Sequence, residues 1–136
     1  MHIVAIRYPR KSGEVFNLKH YLEVHTPAGI SLFRKVNGFL PTRVFLQHSS
    51  LGLDGAADSS DSYATSWLCF DSPEQVEGFR RVFADAAASR WLIDDMPNYA
   101  PIAPTFLVGE MIEVQEIAKL ADVGDRQLDE LHRTTG

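Results

Sequence analysis

Short apolar runs of β character alternate along the chain with segments of helical period, and clusters of turn-forming residues separate them. From His2 to Tyr8 the residues are short, apolar and β-prone, and Pro9-Arg10-Lys11-Ser12-Gly13 then stops them, which predicts a strand over 2–8 and a turn. Asn17 can cap a helix. After it Leu18, Tyr21, Leu22, His25 and Gly29 recur at helical spacing, while Lys19, His20 and Glu23 face the other way. Pro27 removes a backbone donor and crowds the preceding turn, so the helix is expected to kink or restart there and resume through Ile30 to Lys35. Asn37-Gly38 ends it.

The stretch from Phe39 to His48 reads as a second strand, with Pro41 near its start. SSLGLDGAADSSDS follows, too polar to join a core and expected to be a mobile hairpin connection. A third strand over 63–70 places Tyr63, Thr65, Trp67 and Cys69 on one face and Ala64, Ser66, Leu68 and Phe70 on the other. Ser72, Pro73 and Gln75 make a strong helix start with a capping box, and Val76, Phe79 and Phe83 give that helix one apolar face. The alanine-rich stretch from Asp85 to Leu92 can form a further short helix. Two prolines interrupt the segment from Asp94 to Pro101, and Thr105 to Val114 predicts a fourth strand. Beyond Gln115, Ile117, Leu120, Leu128 and Leu131 keep helical spacing; Gly124 is expected to interrupt it and the final HRTTG to fray.

The order is therefore β, α, β, β, α, β, which predicts an α+β, ferredoxin-like domain over 1–114. Two helices cover one face of a four-stranded antiparallel sheet, and residues 115–136 form a C-terminal helical extension and tail. Large apolar residues remain for the sheet's second face, so a lone chain would expose a hydrophobic patch that a sheet-on-sheet homodimer removes.

Bulk properties narrow the role. At 136 residues, 45% apolar and 23% charged, the chain suits a single hydrophobic core. A net charge of −5 lacks the attraction that dominates nucleic-acid binding, so no DNA or RNA partner is expected. No apolar segment approaches the roughly 18 residues of a membrane span, and MHIVAIRY has none of the marks of a signal peptide, so a cytoplasmic location is expected. The single thiol, Cys69, sits in the apolar run SWLCF and reads as a packing residue.

Three segments carry a resemblance to a known family: the first strand ending in Tyr8-Pro9, the helix segment HYLEVHTP with Tyr21, His25 and Pro27, and DDMPNYAPIAPTFLVGEM with its Asp-x-Pro-Asn-Tyr core. In these the chain resembles the EthD-like proteins of the dimeric α/β-barrel superfamily, a family named for ethyl tert-butyl ether degradation. The segments span about 1–114 in the right order. The resemblance implies a homodimer whose sheets form a barrel, with a small-molecule cavity between sheet and helices in each subunit. It implies no single reaction, since superfamily members isomerise lactones, cyclise or dehydrate polyketides, or oxidise phenols without metal or flavin.

His25 is the foremost candidate catalytic residue, because a neutral imidazole with a pKa near 6.5 can take and return a proton close to neutral pH. The alternative is a buried histidine satisfied by a backbone carbonyl. Tyr21, one turn earlier, is the candidate hydrogen-bonding neighbour, able to orient the ring or to donate to a substrate oxygen. Asn98, Tyr99 and Trp67 are candidate substrate contacts. The five histidines form no HxH, HExxH or Cys/His spacing, His20 and His25 are read as facing different ways, and Asp94-Asp95 reads as a solvated pair, so no metal is expected. No phosphate cradle is present, and no cofactor is expected. The expected function is cofactor-independent proton transfer (isomerisation, cyclisation or dehydration) on a small, mostly apolar organic compound. Its alternatives are a non-catalytic binding or accessory protein of an oxidative degradation pathway and a metal-free monooxygenase.

Overall fold

A computed structural model describes residues 1–48, 53–55 and 61–135, so most of the loop expected over 49–62 lies outside the described residues. The elements are β1 (His2–Pro9), α1 (Leu18–His20), a π-turn (Tyr21–His25), α2 (Thr26–Asn37), β2 (Arg43–His48), β3 (Ser62–Phe70), α3 (Pro73–Ala84), α4 (Ala86–Asp95), a 3-10 turn (Met96–Asn98), β4 (Thr105–Glu110) and α5 (Ile117–Thr135). The strands form one antiparallel sheet in the order β2-β3-β1-β4. This is the ferredoxin-like α+β arrangement that the alternation of apolar runs predicts. Among the described residues no helix is long and apolar enough to cross a membrane.

The helix around Pro27 does not restart. It stays continuous from Leu18 to Asn37 by widening one turn ahead of the proline, where the Thr26 N–H donates to the Tyr21 carbonyl five residues back. Proline cannot donate, and its ring crowds the carbonyl four residues back, so a wider turn relieves both problems without breaking the rod. Asn17 caps the start, its side chain accepting from His20 N at 3.1 Å, and Gly38, at φ 77°, ends α2 in the left-handed conformation.

Strand lengths follow from available partners. β2 begins at Arg43 rather than Phe39, because its ladder starts opposite Cys69 near the end of β3. β4 stops at Glu110, short of Val114, since Glu110 pairs with His2 and only Met1 remains, exchanging bonds with Met111 at 2.7 and 3.1 Å. Val4, Phe33, Phe70, Val76, Val82 and Ala88 form the core between sheet and helices. Cys69 is fully buried and burial pushes its thiol pKa up, which suits the packing role.

The predicted capping box of α3 is present: Ser72 Oγ accepts from Gln75 N at 3.3 Å, and Gln75 Oε1 accepts from Asp71 N at 2.9 Å. Asp85 caps α4 by accepting from Ala88 N at 2.9 Å. Where α2 meets α3, Asn37 Nδ2 donates to the Gly78 carbonyl at 2.9 Å, and a methyl group on Gly78 would stand 3.0 Å from both Phe33 Cζ and Phe39 Cζ. Alanine would gain about 1 kcal/mol of helix propensity there. The two rings hold each other edge to face and Phe33 is buried, so overpacking wins. Gly78→Ala is expected to destabilise the fold by about 1–3 kcal/mol, read from the urea midpoint; an unchanged or raised midpoint would show that the rings give way.

The face of the sheet away from the helices carries Ile3, Ala5, Phe45, Trp67 and Leu107, which the registers place in adjacent positions. Phe45 is 48% and Leu107 58% exposed there. At the C-terminus, α5 runs unbroken through Gly124 to Thr135, because one interior glycine, at about 1 kcal/mol, is too small a penalty to end a helix of 19 residues. Its apolar residues are exposed, Ile117 at 73% and Leu128 at 59%.

Candidate functional site

Beneath the sheet's helix face, two strands and two helical segments converge. β1 contributes Tyr8 and β3 contributes Ser66, both on the helix side of the sheet; the π-turn contributes Tyr21 and His25; the end of α4 and the turn after it contribute Asp95, Asn98 and Tyr99. Asn17 N–H donates to the Tyr99 carbonyl at 2.8 Å, which ties the start of α1 to the last of these segments. Tyr8, Tyr21 and Tyr99 pack together as a buried aromatic cluster, their ring centroids 4.9–5.4 Å apart.

Asp95 is the hub. It is 8% exposed, its Oδ2 lies 3.0 Å from His25 Nδ1, and its Oδ1 lies 2.8 Å from His20 Nε2 and accepts from Asn98 Nδ2 at 3.1 Å. Residues five apart on an α-helix point about 140° away from each other. The wider turn between His20 and His25 reduces that divergence, so both imidazoles reach one carboxylate. On the other side of His25, Nε2 is 3.2 Å from the Tyr99 hydroxyl, which is itself 3.0 Å from the Tyr8 hydroxyl. An ionised Asp95 requires the proton of His25 on Nδ1 and leaves the lone pair on Nε2, directed at Tyr99.

Electrostatics favour that tautomer. Burial lowers the His25 pKa and outweighs the opposing hydrogen bond and charge of Asp95, so the ring is held neutral. For Asp95 burial acts upward, yet the hydrogen bonds from Asn98, His20 and His25 together hold its pKa below the usual value. Burial pushes the phenols of Tyr8, Tyr21 and Tyr99 upward, which keeps them protonated donors at neutral pH. Because the folded His25 pKa lies below that of the unfolded chain, the unfolded state binds the extra proton first as pH falls. Stability is therefore expected to drop from about pH 6.5 down to the folded His25 pKa. Asp95, with its pKa also depressed, adds stability that is lost only in stronger acid. Urea midpoints at about pH 7 and about pH 5 should differ in the wild type and differ less in His25→Asn; equal differences would remove His25 from this linkage.

Two cavities meet at His25. The smaller, of about 80 Å³, is bounded by Tyr21, Thr26, Phe33, Ser66, Leu68 and Phe79. The larger, of about 310 Å³, is bounded by Tyr8, Met96, Tyr99, Pro104 and Phe106. His25, Phe83 and Leu92 line both. Among the described residues, neither wall includes a Lys, Arg, Asp or Glu. Tyr21 Oη and Ser66 Oγ lie 2.5 Å apart at the smaller cavity, and Thr26 Oγ1 is buried beside them with no hydrogen-bond partner among the described residues. No group of three or more His, Cys, Asp or Glu among the described residues is arranged to hold a metal.

His25, Tyr21 and Tyr99 are thus brought together around the two cavities. Tyr21 stacks on the imidazole at 5.4 Å and bonds Ser66, while Tyr99 supplies the hydrogen bond to His25. Asn98 is exposed and braces Asp95 instead of lining either cavity. Trp67 stands on the opposite face of the sheet from its neighbours Ser66 and Leu68, both of which line the smaller cavity, so it is not a cavity residue. Asp95, read as half of a solvated pair, is buried; only Asp94 is solvated, its side chain 70% exposed beside Arg90. Asp95 opens the Asp-x-Pro-Asn-Tyr segment whose Asn98 and Tyr99 also serve the site, and that clustering is the signal that could have revealed it.

The chain is similar to solved structures. An EthD-like protein from Ralstonia eutropha JMP134 superposes with a TM-score of 0.66 at 19% identity, over 85% of this chain and 95% of its own. An ethyl tert-butyl ether degradation (EthD) family protein from Bacillus halodurans C-125 does so with a TM-score of 0.51 at 17% identity, over 82% and 97%. No protein-family model matches the chain, and no curated protein matches it closely enough to count. The two structures share its fold, and both belong to the family that the sequence segments resemble.

Proposed function

We propose that this chain is an EthD-like enzyme that transfers a proton on a small, neutral, mostly apolar organic compound, with His25 as the base and without a cofactor. The observation that supports it most is the orientation of His25: Asp95 fixes the proton on Nδ1, and the basic Nε2 is left at the junction of two apolar cavities. Walls without ionic groups suit an uncharged compound, and the larger cavity meets the lower end of the roughly 300–1,000 Å³ typical of ligand sites. Thr26, Ser66 and Tyr21 offer hydroxyls to a carbonyl or hydroxyl of the ligand. His25 Nε2 takes a proton from carbon next to such a carbonyl, and the Tyr99 O–H turns from Nε2 to the oxygen that gains charge. Isomerisation, cyclisation and dehydration share that first step.

One observation favours a second reading, a non-catalytic binding or accessory protein of an oxidative degradation pathway: Tyr99 already satisfies His25 Nε2 without a ligand. The name of the Bacillus halodurans relative fits such a pathway. Mass spectrometry of the small molecule retained through purification, followed by incubation of that compound with the protein in deuterated water, separates the readings. Deuterium in the recovered compound, or its conversion, supports proton transfer; retention with neither supports the binding role; uptake of oxygen supports metal-free oxygenation.

The exposed Phe45 and Leu107 on the open sheet face motivate a homodimer formed sheet on sheet. Sedimentation equilibrium at micromolar concentration should return twice the 15.2 kDa chain mass, and a stable monomer would end the barrel arrangement.

A further inference from the structure

We infer that α5 is an arm that docks on a second copy of this chain, in the groove between α3 and β4, where it completes the outer wall of that copy's His25 cavity. The inference rests on the homodimer proposed above and is independent of proton transfer. The groove, of about 390 Å³, is lined by Val4, Val76, Phe79, Phe83, Phe106 and Val108, with Arg80 as the charged residue of its wall among the described residues. Phe106 is 46% and Val108 57% exposed in the single chain. Phe83 and Phe106 also line the larger cavity beside His25, so whatever fills the groove covers the outside of the site.

The arm has matching chemistry. Ile117, Leu120, Ala121, Gly124 and Leu128 fall within an arc of about 100° when spaced on a helix, and Lys119, Asp122, Asp125, Arg126 and Asp129 lie on the opposite side. An apolar stripe of this kind is the surface that a hydrophobic groove receives. Gly124, near the centre of the stripe, has nothing within 4 Å of where a Cβ would stand, and its lack of a side chain lets an aromatic rim approach the backbone. Among the described residues no other element packs extensively against α5. Glu116, at φ 53°, sets its departure from the extended segment, with Lys119 Nζ bonded to Glu116 Oε1 at 3.0 Å.

Two observations favour a second copy as the occupant. Charge argues against an anionic lipid surface: residues 117–135 hold four acids and three bases, where membrane-surface helices are rich in Lys and Arg. Groove and stripe also belong to the same chain, so a two-fold dimer covers each of them twice and closes.

The full-length chain, spin-labelled through Asp129→Cys, is mixed and equilibrated with ¹⁵N-labelled chains that carry no spin label; the native Cys69 is buried and does not compete. Amide signals of Phe83, Phe106 and Val108 are expected to broaden in the ¹⁵N chains. A dimer without that broadening overturns the arm while leaving the sheet-on-sheet dimer intact. A monomer at all concentrations overturns both. The double variant Leu120→Asp, Leu128→Asp changes exposed positions and is expected to raise the dimer Kd at least about 100-fold with the urea midpoint of the monomer unchanged; an unaltered Kd overturns the arm.

Discussion

Replacing His25 with Ala should lower turnover of the ligand by roughly 10²–10⁴-fold, the usual contribution of a positioned acid or base. Among the described residues, the ring is the only ionisable side chain that reaches both cavities, and its Nε2 is the only basic nitrogen in their walls. The fold should survive, since His25 is outside the main apolar core. Some stability should still be lost, because Asp95 is left short of one donor and an under-bonded buried acceptor costs about 1–3 kcal/mol. His25→Asn is the closer control: its amide can still donate to Asp95 but cannot exchange a proton near neutral pH. Wild-type turnover in both variants would remove the base from the mechanism. Unfolding of both would favour a histidine that only satisfies the core. Reduced affinity in a protein that never converts its ligand would favour the binding role.

Asp95→Asn should be nearly as damaging while changing almost no volume. In the Ser-His-Asp triad, the same change behind the histidine allows the wrong tautomer and lowers turnover by about 10⁴-fold. Here Asp95 is also braced by His20 and Asn98, so its amide would meet donors on both oxygens' sides, and a loss of at least about 10²-fold is expected. Asp95 bonds His25 and lines neither of the two cavities, which makes it a positioning residue. A pH profile distinguishes this from a merely structural role. The carboxylate raises the His25 pKa against burial, so its removal should move the acid limb of kcat/KM to lower pH. Reduced turnover with an unmoved acid limb would leave Asp95 as a structural brace only.

Much of the fold was legible because period and punctuation agree. Asn17, Gly38, Ser72 and Asp85 each cap where the apolar period begins or ends, and the strand order follows from the sequence of elements. What was not legible depended on tertiary partners. β4 ends where β1 runs out of residues, which nothing within TFLVGEMIEV records. Alternation separates Trp67 from Ser66 correctly, but both faces of β3 hold bulky groups, so the face that meets the helices cannot be chosen from the strand alone. The site divides in the same way. His25 and Tyr21 share a helix period and can be found together, whereas Asp95 lies 70 residues from His25 and resembles any acidic doublet at a helix end. Its partner His20 was assigned to another direction by a 3.6-residue period that the chain does not follow at that point.

That departure from the period means that the helix absorbs one extra residue at the site. A π-turn is an α-helix with one residue too many, so deleting Val24, an exposed residue, should let the rod close into an ordinary helix. Every named residue of the site would still be present. The four remaining steps from Tyr21 to Thr26 would turn by about 400°, close to the single turn that five residues now fill, so Tyr21 would still face Ser66 and His20 would still face Asp95. A homologue with one position fewer between Tyr21 and His25 would therefore keep both the letters of this site and their common facing. Across this one turn a gap is tolerated that anywhere else in the rod would swing one half away from the other by about 100°.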